Sequence, residues 1–168
     1  HWLMLVLLAL VYACIELRGL FPKGSGGRTL IVESHFMLGL TVFVLVWLRL
    51  LARSLGPAPQ ILPASPRWQL MLARLMHWAL YIFMIAMPIF GWLVTSAKGK
   101  QVMFYGFDLP LLISENKELA KELQDWHELG GTIGYWLIGL HAVAGLYHHY
   151  VVGDNTLLRM MPKRVTRT

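Results

Sequence analysis

The chain has 168 residues and a formal net charge of +6, with 57% hydrophobic and 14% charged residues and a mean hydropathy of +0.55. Soluble domains carry about 25% charged residues, so this composition excludes a disordered chain, a coiled coil and an ordinary soluble enzyme. Basic loops that fix topology in a bilayer explain the positive charge better than nucleic acid does; membrane lipid is an expected partner and nucleic acid is not.

Residues 2–15 contain no charge, Gly or Pro, and predict a first span over about 1–17. The chain opens on His1 rather than Met, so this span is expected to begin upstream. A signal peptide is not expected, because a small-residue cleavage site is missing. A basic connection with Arg18, Lys23 and Arg28 follows. The second span covers about 30–52, and a Pro-rich connector occupies 53–69. The third, 70–97, holds Pro88 and is expected to bend there. Segment 98–125 opens on Lys98 and Lys100, and its charged stretch 115–126 predicts a short amphipathic helix on the membrane surface. The fourth span, about 126–152, lacks Asp, Glu, Lys and Arg over 129–153. No segment alternates with period two, which excludes a closed barrel. The fold class is all-α: an integral membrane four-helix bundle, one membrane domain over 1–168.

Four spans put both termini on one side. Eight Lys and Arg fall there and seven on the other, while eight of the nine acids lie opposite and only Asp154 lies with the termini. The basic short connector and tail place both termini in the cytoplasm.

The seven histidines are unusual for so apolar a chain, and Cys14 is the only cysteine. One cysteine excludes intramolecular disulfides, cysteine zinc sites and covalent haem attachment through C-x-x-C-H. Ionisable groups in a span are costly and mark function. A single histidine can simply be bonded to a neighbouring helix, but five or six together point to imidazole ligation of iron. His127 and His141 are 14 positions apart, about 21 Å along one helix and within about 40° of one face. That spacing suits two stacked haems. His35, His127 and His141 each have a glycine four positions on: Gly39, Gly131 and Gly145. A missing side chain there lets a flat ring lie close to the backbone; the rival reading is that small residues help helices pack.

Depth along the spans, at about 1.5 Å per residue, puts His35 about 8 Å and His127 about 2 Å from the outer ends. His141 lies about 22 Å in, His1 about 26 Å, His77 about 30 Å and His148 about 33 Å. The expected outer pair is His35 with His127, and the inner pair His1 with His141. His77 in place of His1 is the alternative. His77 and His148 are expected to form a third layer for a polar substrate such as a quinone headgroup, with His149 turned toward the lipid headgroups.

The segments HWL at 1–3, ELRGLFP at 16–22, WHELGGTIGYWLIGLHAVAGLYHHY at 126–150 and DNTLLRMMP at 154–162 resemble the bacterial cytochrome b-561 family of the inner membrane. The resemblance, with the His35 span, runs over nearly the whole chain. It implies a di-haem superoxide:ubiquinone oxidoreductase with two non-covalent b haems. It implies His1 and His141 as ligands of the inner haem iron and His35 and His127 of the outer. It also implies quinone contact around His77 and His148. One departure is Arg74, where a family member has a histidine.

On this reading superoxide is oxidised at the periplasmic face and ubiquinone is reduced near the cytoplasmic face. Arg18, Lys23, Arg28, Lys98 and Lys100 are the candidates for steering an anionic substrate. Ordinary loop lysines are the plain alternative, and the acids of 115–128 oppose steering. The rival function is a cytochrome b subunit that passes electrons from a dehydrogenase or hydrogenase partner to quinone. A haem-free structural bundle is the third reading.

Overall fold

In the computed structural model, residues 1–56 and 59–161 are described. Lys163, Arg164 and Arg167, three of the eight basic residues on the side of the termini, lie outside them.

Helix α1 spans Trp2–Leu17 and passes into a 3-10 turn over Arg18–Leu20. It runs without interruption because nothing before Gly19 breaks a helix. Helix α2, Gly26–Ser54, starts four residues earlier than its apolar run. Ser25 explains this: its hydroxyl accepts the Arg28 N–H at 3.3 Å, a cap of about 1 kcal/mol. Helix α3, Arg67–Ala97, begins directly after Pro66 and continues through Pro88. Helix α4, Lys117–Tyr147, is capped by the Asn116 side chain, which accepts the Leu119 N–H at 3.0 Å. All four are long and apolar enough to cross a bilayer.

The charged helix expected at 115–126, leading into the fourth span, is continuous with it: residues 117–126 are the first turns of α4 and Asn116 is its cap. No Gly or Pro lies between Lys117 and Leu129, so continuing the helix costs less than ending it. At 31 residues α4 is about 46 Å long. That exceeds the roughly 30 Å hydrocarbon core, and the charged turns project beyond it. At its other end α4 passes into a π-helical turn, His148–Val152, which Gly153 stops at φ 76°.

A hairpin was not expected. Strands β1 (Val102–Phe104) and β2 (Phe107–Leu109) pair antiparallel. Tyr105 and Gly106 both have positive φ, 48° and 88°, as a two-residue I′ turn requires. Strands of three residues are too short to show a period. The segment folds back along α2 and α3: the Tyr105 and Thr41 hydroxyls lie 3.1 Å apart, and the Trp92 indole N–H donates to the Pro110 carbonyl at 3.1 Å.

Helices α1 and α2, α2 and α3, and α3 and α4 pack side by side, whereas the α1 and α4 backbones stay apart. The bundle is therefore open along an α1–α4 seam. Its core joins Met4 and Leu7 of α1, Val42 and Val46 of α2, and Leu80, Tyr81 and Met84 of α3, with Leu137 and Ile138 of α4 at the margin. Lipid offers apolar helices no hydrophobic drive to associate, so close backbone approach matters more. Gly134 supplies it: a Cβ there would run into the Tyr12 hydroxyl and the Phe83 ring.

Candidate functional site

Two pairs of histidines approach each other inside the bundle. His35 of α2 and His127 of α4 have ring centroids 6.3 Å apart at 84°. His1, at the start of α1, and His141 of α4 lie 6.0 Å apart at 30°. Both pairs join helices whose backbones do not touch. His35 Nδ1 is 2.9 Å from the Val11 carbonyl. A carbonyl only accepts, so Nδ1 carries the proton and Nε2 keeps its lone pair. His127 Nδ1 is buried without a partner.

A cavity of about 610 Å³ surrounds the His35–His127 pair and is walled by all four helices. Gly39 and Gly131 line it, and a Cβ on either would meet nothing within 4 Å. The same holds for Gly145. These glycines are therefore not the ones that bring helices together. That role falls to Gly134; a Cβ at Gly130 would meet only the flexible end of Met87. Gly91 has a third role: a Cβ there would sit 3.3 Å from Cε1 of His127 and press on this ring.

The seam is closed over the cavity by side chains that the motif reading missed. The Tyr12 hydroxyl donates to the Gly131 carbonyl at 2.7 Å. The rings of Tyr12 and Tyr135 are 4.3 Å apart, and the Tyr135 hydroxyl donates to Glu16 at 2.8 Å. A tyrosine facing a glycine on another helix has no fixed sequence separation, so no spacing announced it.

Of the five basic candidates, Arg18 and Lys98 line the cavity, and Lys23, Arg28 and Lys100 do not. Arg28 instead donates to the Arg18 and Phe21 carbonyls, at 3.0 and 3.2 Å, and holds the turn together. Lys98 donates to Gln124 at 2.6 Å, and Gln124 donates to Glu128 at 2.8 Å. Glu16 and Glu128 also line the cavity, so both signs of charge meet at its mouth.

His77 and His148, expected together, have different neighbours. The His77 ring stands edge-on to His141, with centroids 5.4 Å apart at 69°. It also lines a cavity of about 80 Å³ with Leu50, Arg53, Arg74, Trp78 and Tyr81. The Tyr81 hydroxyl accepts from Arg49 Nε at 3.4 Å. His148 Nδ1 is instead 2.8 Å from Asp154 Oδ2. His149 is half-buried, and its Nδ1 donates to the Asp154 carbonyl at 3.1 Å. Burial opposes ionisation of Asp154, but hydrogen bonds from Thr156 and His148 outweigh it and hold the carboxyl below the usual carboxylate range.

The sequence model of a family described as prokaryotic cytochrome b561 matches residues 1–163. The protein "Cytochrome b561 homolog 1" of Escherichia coli (strain K12) is 43% identical over 164 residues, 98% of this chain and 93% of the relative. "Probable superoxide oxidase CybB" of Yersinia pestis is 38% identical over 164 residues, 98% of this chain and 92% of the relative. "Cytochrome b561 homolog 2" of Escherichia coli (strain K12) is 30% identical over 139 residues, 78% of this chain and 70% of the relative.

These similarities imply a b haem, and the residues present fit one. Two imidazoles bound to one metal atom through nitrogens at about 2 Å have centroids about 6 Å apart, close to both histidine pairs. The His35–His127 pair adds a cavity with two open glycines and a free Nε2. At the His1–His141 pair the fit rests on the ring separation and the open space beside Gly145.

Proposed function

The chain belongs to the prokaryotic cytochrome b561 family, and on that premise we propose that it carries single electrons from superoxide at the periplasmic face to ubiquinone near the cytoplasmic face. Membership makes it a haem-binding oxidoreductase and a multi-pass protein of the inner membrane. Two haems per chain, the substrates and the faces are the proposal.

One observation carries the reading: at two levels 14 residues apart, α4 sets His127 against His35 of α2 and His141 against His1 of α1, two helices whose backbones it does not touch. His35 and His127 hold the outer haem, and His1 and His141 the inner. When bound, a haem supplies a one-electron couple whose potential its axial ligands and surroundings set. The protein does the rest. The Val11 carbonyl orients His35, as outer partners do for metal-bound histidines. Gly39 and Gly131 leave room for a ring, and Tyr12 and Tyr135 close the seam over it. His1 is favoured over His77 as the inner ligand, because α1 stands across the seam from α4 whereas α3 packs directly against it.

Superoxide as the donor is supported by the name of the Yersinia pestis relative, "Probable superoxide oxidase CybB", and by Arg18 and Lys98 at the cavity mouth. Quinone contact at the other end falls to His77, with Arg53, Arg74 and Tyr81 around it, and to His148.

The test uses the purified protein in detergent, with superoxide generated enzymatically and a soluble ubiquinone analogue as acceptor. Haem absorbance should show reduction by superoxide and reoxidation by the quinone. A protein that superoxide leaves oxidised, but that a membrane dehydrogenase or hydrogenase reduces, is the electron-passing subunit instead.

A further inference from the structure

Asp154 carries a charge and is nevertheless buried, at 3% exposure. Its side chain is fully enclosed, while that of His148 is 23% exposed. Oδ2 accepts from His148 Nδ1 at 2.8 Å, and Oδ1 accepts the Thr156 N–H at 2.8 Å. The Asp154 N–H returns to the His148 carbonyl at 3.1 Å. The π-helical turn and Gly153 in the left-handed region bring residue 154 back onto residue 148. π turns cluster at functional sites.

The position on α4 gives this couple meaning. Residues seven apart lie within about 20° of one face, and 127, 134, 141 and 148 read His, Gly, His, His. His148 is thus the next polar group after His141, about 10 Å nearer the terminal end. The carboxylate fixes the proton on Nδ1 and leaves Nε2 to gain or lose another, the arrangement by which a buried aspartate orients a catalytic histidine. The other titratable neighbours are His149, bonded to the Asp154 backbone, and Tyr147, whose ring is 6.1 Å from that of His148.

We propose that His148 and Asp154 form a proton-delivery couple for the quinone reduced at the terminal end, with His148 passing the proton and Asp154 as its positioning residue. This rests on the quinone reading above. Two superoxide ions supply two electrons and leave as two dioxygen molecules; the quinone takes the electrons and two protons to become quinol. For one of these protons the Nε2–H bond of the His148 imidazolium breaks and an O–H bond forms on a quinone oxygen. The neutral ring keeps Nδ1–H on Asp154 and regains a proton from water on its exposed side.

Asp154→Asn removes the charge but keeps the shape, and His148→Ala removes the carrier. Quinol formation, measured with superoxide as donor, should fall about 100-fold in each, the lower end of what a positioned acid supplies. Both haem spectra and the rate of haem reduction by superoxide should stay at wild-type values. Added imidazole should restore His148→Ala in proportion to its concentration, which a merely structural role would not allow. Wild-type quinol rates in both variants, or a His148→Ala loss that imidazole leaves unrestored, overturn the couple. If Asp154→Asn does not assemble, the imidazole response of His148→Ala decides alone. A wild type that reduces its haems but makes no quinol overturns the quinone reading and this assignment with it.

Discussion

Gly131 and Gly134 lie three positions apart on α4 and serve opposite purposes. A Cβ at 134 has nowhere to go between Tyr12 and Phe83, whereas one at 131 meets empty space. Gly134→Ala should therefore cost about 1–3 kcal/mol through overpacking, read as a lower Tm in detergent. Gly131→Ala should leave the stability of the haem-free protein unchanged but lower the haem bound per chain, measured as the pyridine haemochrome. Equal effects at both sites would mean that both glycines serve only helix packing. The histidines give a second residue-scale expectation. His127→Ala should remove one haem of two and spare the other, and His77→Ala should spare both. Loss of the inner haem in His77→Ala would exchange His1 for His77 as ligand. Asp154 gives a third. Its pKa is depressed in the folded chain, so its stabilisation is complete above the ordinary carboxylate value near 4 and is lost as pH falls through the lower folded value. Below about pH 4 the segment after Gly153 should loosen. Trp2 reports it, because its indole N–H donates to the Met160 carbonyl at 3.2 Å, and its fluorescence should shift while the helical signal persists.

At the scale of the element, the connection from α1 to α2 separates two arginines that look alike in the sequence. Arg28 spends its guanidinium on two backbone carbonyls, whereas Arg18 faces the cavity. Charged hydrogen bonds contribute about 1.5–3 kcal/mol, so Arg28→Ala should destabilise the turn by about that much in total, since part is recovered by water. Arg18→Gln should leave the fold intact and slow capture of superoxide. Hydrogen exchange over 18–28 separates the two outcomes: faster in Arg28→Ala, unchanged in Arg18→Gln.

For the whole molecule, capture of an anion depends on the summed field at the cavity mouth. Arg18 and Lys98 favour it, and Glu16 and Glu128 on the same wall oppose it. The net attraction is therefore modest, and replacing Arg18, Lys23, Lys98 and Lys100 together by Gln should slow haem reduction by superoxide several-fold. The wild-type rate should fall as salt rises and the Debye length shrinks from about 10 Å at 0.1 M to about 3 Å at 1 M. Reduction from the quinol side, a membrane thickness away, should respond to neither change. A rate indifferent to both would make these residues markers of topology alone.

The four helices and the alignment of His127 and His141 on one face were legible in the sequence, because apolar runs and the 3.6-residue period are local properties of one segment. What one helix offers another was not. That α1 and α4 stay apart, that His77 stands against His141 rather than beside His148, and that Tyr12 reaches Gly131 depend on how the helices cross and how closely they approach. Spacing along a chain carries no information on those distances. The hairpin at 102–109 escaped for the opposite reason: its strands are shorter than any period that would reveal them, and contacts with α2 and α3 hold it in place. Depth sorted the histidines by level along the spans; the crossing of the helices decided which rings meet, so that α4 sets His127 against His35 and His141 against both His1 and His77.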